Sequence, residues 1–216
     1  MSLKLVYFLK MRIAVIAADG RTGKLFCERA AQNGHTVRAG IFTDTAFSSR
    51  NITATPCDAT QYKDVEHLIM GCDAVVSLIG HVRGSQPDMQ TKAIQNCITA
   101  MKKNHLERII SLTGTGVRMP NDAIPIYDWP LNLAIRIIDP KRIEDGKRHA
   151  ELLMAENKLA WTIVRVLKLT NSKEKPFRLS TTHPTKLLTS REEVASAILQ
   201  ILEEESFIRQ SPVISK

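Results

Sequence analysis

Residues 17–23 read Ala17-Ala18-Asp19-Gly20-Arg21-Thr22-Gly23, small residues and two glycines set directly behind the apolar run Ile13-Ala14-Val15-Ile16. A run that is apolar without alternation is what a central parallel strand, covered on both faces, requires. From Thr22 the chain is helix-forming to Asn33, with Leu25, Phe26, Arg29, Ala30 and Asn33 at helical spacing and Gly34 as the expected stop. Strand, glycine turn and helix together make a backbone that can close on an anion. Gly20 sits where main chain must approach the anion, Gly23 where helix must pack on strand, and the free N–H groups and positive dipole end of the helix face it. The dinucleotide fingerprint has its first glycine where Ala17 stands, and Ala17, Asp19, Gly20, Arg21, Thr22 and Gly23 are the residues expected to contact a bound dinucleotide. A Gly-x-x-Gly turn also describes an ordinary strand-to-helix corner. The apolar run Thr36–Phe42, just after the helix stop, supplies the strand–helix–strand unit that the phosphate reading demands.

The elements that must position such a turn follow along the chain. Thr53–Cys57 makes a short third strand, and helical periodicity resumes at Val65, Leu68 and Ile69 and stops at Gly71. Asp73–Gly80 is a fourth strand, Asp88–Asn104 a long helix with Ile94, Cys97, Ile98 and Met101 inward, and Arg108–Leu112 a fifth strand. Prolines 120, 125, 130 and 140 punctuate the next stretch, within which Leu131–Ile138 could form a short helix. Lys141–Asn157 is amphipathic with Ile143, Ala150, Leu153 and Met154 inward; Trp161–Val166 is a sixth strand and Phe177–Ser180 an edge strand. Ser190, with Glu193 three residues on, opens a final helix with a capping box. Alternation at this pitch predicts an α/β fold, a doubly wound parallel sheet of Rossmann type with right-handed crossovers, and a ligand crevice at the carboxyl ends of the strands.

The chain has 216 residues, 44% of them hydrophobic, and no linker long enough to divide it into separate domains. We expect one domain over 11–216, with 1–10 an extension of unassigned role. No apolar stretch approaches the ~20 residues of a membrane span, so a cytoplasmic protein with no membrane partner is expected. Cys27, Cys57, Cys72 and Cys97 show no C-x-x-C spacing and are expected as reduced thiols, with no metal site. The net charge of +8 raises the question of nucleic acid. The basic residues are dispersed as solvated helix faces would be, and no nucleic-acid-binding motif accompanies them, so no nucleic-acid partner is expected.

Ala18–Gly23, Cys57-Asp58, and Gly71-Cys72-Asp73-Ala74-Val75-Val76-Ser77 resemble the atypical short-chain dehydrogenase/reductases with an NAD(P)H-binding domain. Gly80-His81-Val82-Arg83 through Asn96, Ala100-Met101-Lys102, Glu151-Leu152-Leu153 and Trp161–Arg165 are similar to the flavin reductase (biliverdin-IXβ reductase-like) branch and its NmrA-like relatives. The likeness covers about residues 11–204. It implies that Gly20, Arg21, Thr22 and Gly23 line the pyrophosphate, that Asp58 lies beside the adenine and that Gly80 passes under the ribose and nicotinamide half, with Ala59 and Arg83 also among the cofactor-binding residues. Asp58 also reads as a helix N-cap and Gly80 as a turn glycine.

The relatives often carry arginine where Phe42 stands. Arg21 can swing to that place and bond a 2′-phosphate, with Thr43 assisting, and Asp44 lies past the usual acid position, so NADP(H) is expected over NAD(H). Of the Tyr-x-x-x-Lys pair that many short-chain dehydrogenases use, Lys147 matches the lysine, but Ile143 stands for the tyrosine. Lys147 is expected to hold the nicotinamide ribose. Thr113 or Thr115 can bond a substrate oxygen, and His81 stands near the expected nicotinamide; a lone loop histidine is also a common structural residue. These features predict an NADPH-dependent reductase passing hydride to a small conjugated acceptor such as a flavin or quinone, acting as monomer or homodimer. The alternative is a non-catalytic NADP(H)-binding redox sensor of the NmrA-like kind.

Overall fold

A computed structural model describes residues 9–81, 84–114, 117–119, 126, 129–130, 133 and 140–216. The strands are β1 Arg12–Ile16, β2 Thr36–Ile41, β3 Ile52–Pro56, β4 Ala74–Ser77, β5 Arg108–Gly114, β6 Ala160–Val166, β7 Lys168–Thr170, β8 Arg178–Ser180, β9 Leu188–Ser190 and β10 Val213–Ser215. The helices are α1 Arg21–Gln32, α2 Tyr62–Ile69, α3 Met89–Lys103, α4 Pro140–Met154 and α5 Arg191–Glu203. The main sheet runs β3-β2-β1-β4-β5-β6-β10-β8, parallel except for β8, and β7 pairs with β9 apart from it. This is the doubly wound α/β fold that the alternation of elements predicts.

The central strands are apolar throughout because each of their faces meets a helical layer. Ile13 and Val15 point into a core with Phe26 and Ala30 of α1 and Ile198 and Ile201 of α5, while Ala14 and Ile16 point into a core with Ile69, Ile94, Met101 and Leu153. The chain leaves β1 toward β2 and returns to β4 on its other side, so a crevice opens at the carboxyl ends of β1 and β4.

Gly34, at φ +88°, ends α1 as expected. The capping box of α5 is present: Glu193 N–H donates to Ser190 Oγ at 3.0 Å, and Ser190 N–H to Glu193 Oε2 at 3.2 Å. Two expected helix faces need correction. The buried stripe of α1 is Thr22, Gly23, Phe26, Cys27, Ala30 and Ala31, and Leu25 faces out. The inward stripe of α4 carries Asp145, Gly146 and His149 with Ala150 and Leu153; Ile143 is half-buried, Met154 is exposed, and the helix ends there rather than at Asn157. Asp145 tolerates burial because its oxygens find donors, described below; His149 is bonded through Nε2, while its buried Nδ1 has no partner among the described residues. The short strands β7, β9 and β10 carry too little periodicity to be seen, and β10 lies inside the sheet between β6 and β8. The helix expected over Leu131–Ile138 lies largely outside the described residues.

The cysteines are free thiols, and Cys27, Cys57 and Cys97 are buried. Burial pushes the Cys27 and Cys57 thiols up to about 12, and raises Cys97 further and half-buried Cys72 as well. Only the thiolate reacts. Ellman's reagent at pH 8 is therefore expected to titrate Cys72 first in the native protein and the other three only on unfolding; fast reaction of a second thiol would show that the core opens.

Candidate functional site

The first crossover is built on two close approaches. At the end of β1, Ala17 takes φ +59°, the left-handed region where a side chain is strained by roughly 1–2 kcal/mol. Its carbonyl then accepts from Gly20 N–H at 3.1 Å, while Ala18 N–H donates to Gly40 O at 2.9 Å on β2. A side chain on Gly23 would start 2.7 Å from the Ala18 Cα and closer still to the Ala17 carbonyl oxygen. Only glycine lets α1 lie against the turn here. Gly20 stands as N-cap in extended conformation with no side-chain cap, and no acidic residue enters the first turn. The opening amides of α1, which no helix can pair internally, are thus left facing the crevice with the positive end of the dipole. This cradle fits a pyrophosphate.

At the end of β2, Asp19 reaches across from the turn. Its Oδ2 accepts from Phe42 N–H at 3.1 Å, Thr43 N–H at 2.8 Å and Thr43 Oγ1 at 2.8 Å. Phe42 is 75% exposed. The Thr43 hydroxyl expected to assist a phosphate is therefore engaged by a carboxylate. Arg21 is exposed on the first turn of α1. Burial lowers the pKa of Arg191, at the start of α5, and the nearby Arg21 charge lowers it further. Asp58 does not cap α2, whose N-cap is Gln61. Instead its Oδ1 accepts from Thr60 N–H at 2.9 Å and Thr60 Oγ1 at 2.7 Å, folding a tight turn behind β3. Ala59 is buried, and its carbonyl accepts from Asn96 Nδ2 at 2.9 Å.

At the ends of β4 and β5 the crevice is polar. Among the described residues nothing stands within 4 Å of a would-be side chain on Gly80, which leaves open space above it. Beyond it, His81 Nε2 pairs with Asp145 Oδ2 at 2.8 Å, and His81 Nδ1 meets Ser85 Oγ at 3.3 Å. Asp145 is 3% exposed and also accepts from Gln90 N–H at 2.9 Å, Thr91 N–H at 2.9 Å and Thr91 Oγ1 at 2.5 Å. Asp88, the N-cap of α3 by position, makes no capping bond. Asp145 supplies that cap from the neighbouring helix, where the dipole favours its charge. A carboxylate can only accept, so His81 Nε2 donates to Asp145 and Nδ1 is left as the acceptor that faces the Ser85 hydroxyl.

Beside this pair, a side chain on Gly146 would stand 3.3 Å from Thr113 Oγ1, so α4 lies close against the end of β5. Ser111 Oγ and His149 Nε2 pair at 2.7 Å, and burial holds His149 down to about 4, neutral in the folded protein. Lys147 is exposed on α4. Thr115 and Arg83 lie outside the described residues. Residue types and spacing do not single out Asp145, Ser85, Gln90 or His149; the one trace is a polar pair four residues apart, Asp145 and His149, on a helix stripe otherwise apolar or small. A shallow groove of about 930 Å³, with Arg29, Asn33, Phe177 and Gln200 among its walls, lies at the C-terminal turn of α1, away from these strand ends.

Two outcomes follow from this geometry. Ala17→Gly relieves the left-handed strain and should raise stability by about 1 kcal/mol, whereas Gly23→Ala meets main chain and should lower it by about 1–3 kcal/mol; urea denaturation compares them. His149 is neutral when folded and protonates near 6.5 when unfolded, so the unfolded state binds more protons between pH 6.5 and 4. Its contribution is complete above pH 6.5 and is lost as pH falls toward 4, by roughly 3 kcal/mol. Denaturation at pH 7 and pH 5 should show a smaller difference for His149→Gln than for the parent.

Comparison with known proteins agrees with this fold. Solved structures that superpose on the chain include a candidate NADH-flavin reductase from Streptococcus pneumoniae, 20% identical, covering 95% of this chain and 99% of that one with a TM-score of 0.76. A short-chain dehydrogenase/reductase from Veillonella parvula in complex with NADP is 18% identical, covering 96% and 95% with a TM-score of 0.78. An oxidoreductase from Lactococcus lactis is 17% identical, covering 95% and 91% with a TM-score of 0.79. At these identities the likeness establishes a shared Rossmann-type fold. The profile of the NAD(P)H-binding family matches residues 17–205, from the strained alanine of the first crossover to just past α5, and the chain belongs to that family.

Proposed function

We propose that this protein is an NAD(P)H-dependent oxidoreductase that passes hydride to a small conjugated acceptor such as a flavin or quinone. One observation carries the proposal: the uncapped start of α1 over Gly20 and Gly23 opens into the same crevice as the open space above Gly80 and the His81–Asp145 pair. The α1 amides, with Arg21 and Thr22, hold the pyrophosphate; Asp58, Ala59, Phe42 and Thr43 border the adenosine end. Gly80 leaves room for the second ribose, to which the Lys147 ammonium can reach from α4. When bound, the reduced nicotinamide supplies the hydride.

What the chain's own residues do at that end is orient the acceptor and handle one proton. The Thr113 hydroxyl can donate to an acceptor oxygen. His81, fixed by Asp145, can hold a proton at Nδ1 and release it to an acceptor that has gained hydride, and water can restore it. A delocalised acceptor needs no stronger acid, which agrees with Ile143 standing where a proton-donating tyrosine would be. The same replacement supports a second reading, a non-catalytic NADP(H) sensor of the NmrA-like kind.

Oxidation of NADH and NADPH in the presence of FMN, FAD or a quinone separates the two. The proposal expects turnover above the enzyme-free rate with at least one acceptor; nucleotide binding without turnover across all of them leaves the sensor. Gly80→Val fills the open space without touching the core, so it should weaken nucleotide binding at least about tenfold in a calorimetric titration while leaving the melting temperature unchanged.

A further inference from the structure

We infer that Asp19 selects an unphosphorylated adenosine ribose, so that the protein takes NADH in preference to NADPH. This rests on the nucleotide-binding reading above and deepens it at one position. In a dinucleotide fold, an acid about 20 residues beyond the glycine turn, at the end of the second strand, receives the ribose hydroxyls. The end of β2 reads Ile41-Phe42-Thr43 and has no acid at that place. Asp19 supplies one through space.

Three features of the geometry support the assignment. First, the Asp19 carboxylate is held at the strand end by both the Phe42 and the Thr43 amides and by the Thr43 hydroxyl. Those donors would otherwise be the natural seat of a 2′-phosphate. Second, all three bonds fall on Oδ2, and among the described residues Oδ1 has no partner, which leaves an acceptor for a ribose hydroxyl. Third, the surroundings are acidic. Asp19, Asp58 and Asp64 all act on the thiol of Cys57, which sits between the ends of β2 and β3, and each raises its pKa in addition to the larger effect of burial. Arg21 and Arg191 lie near enough for the Arg21 charge to lower the Arg191 pKa, and neither is bonded to Asp19 among the described residues. A phosphate added to the ribose would meet a carboxylate already fixed on the donors of this strand end. The exposed Phe42 ring beside it offers a flat apolar face to the adenine, and needs no positive charge to do so.

Calorimetric titration of the wild-type protein and Asp19→Ser with NADH and with NADPH tests this. Serine keeps an oxygen that can accept from the Thr43 amide and removes the charge. The wild type should bind NADH at least about tenfold more tightly than NADPH, and Asp19→Ser should shrink that ratio about tenfold or reverse it. Equal binding or an NADPH preference in the wild type, or an unchanged ratio in Asp19→Ser, overturns the inference and leaves the nucleotide-binding reading standing. Failure of both nucleotides to bind the wild type overturns that reading and the inference with it. Should Asp19→Ser not fold, titration of the wild type with ADP-ribose and its 2′-phosphate decides the matter. A tenfold preference for the unphosphorylated fragment supports the assignment, and its absence refutes it.

Discussion

The contact on which the rest of the structure depends is that of Gly23 with the main chain of Ala17 and Ala18. It sets how close the first helix comes to the first strand, and so where the amides at the start of α1 point. Ala17 accepts a left-handed backbone to make the turn, and Asp19 and Gly20 take their positions from it. Strain of about 1–2 kcal/mol at such a point persists only where the surroundings over-determine the conformation. Here they do: β1 is buried between β2 and β4, and α1 is fastened along its length to α5 and the sheet. A rigid frame on both sides lets one short turn hold an open ring of donors without collapsing on itself.

The other end of the crevice is ordered by a different device. Asp145 belongs to α4 yet completes the start of α3, and the same carboxylate aims His81. Two helices and a loop side chain are thereby fixed by one buried charge, whose desolvation is offset by four donors and a helix dipole. Gln90 adds a bond from its side chain to the Ile79 carbonyl at 2.8 Å, so the loop leaving β4 is held from the same helix start. Positioning at this end is therefore a property of the packing between helices and not of any local run of residues.

That difference explains what could be read from the amino acids alone. The crossover was legible because all its parts lie within twelve consecutive residues, and each type there has a local geometric reason. The parallel order of the inner strands followed from their unbroken apolar runs, and the start of α5 from Ser190 and Glu193. Asp145 was not legible, because its partners stand more than 50 residues away and a lone aspartate on an amphipathic helix has the appearance of a solvated face. His149 was hidden in the same manner by Ser111. Thr43 was visible as a residue but not as one already bonded, since the reach of Asp19 across the sheet depends on the register of β1 with β2.

The last strand has a consequence for association. Val213–Ser215 is seated between β6 and β8, and β8 has no other neighbour in the main sheet among the described residues. Peeling residues 209–215 away would detach β10 and β8 together and bare the long rim of β6, whose backbone groups Arg209, Gln210 and Pro212 bond. Such a rim offers unpaired N–H and C=O groups as a template for a foreign chain, so this small wedge guards the molecule against sticking to its own kind.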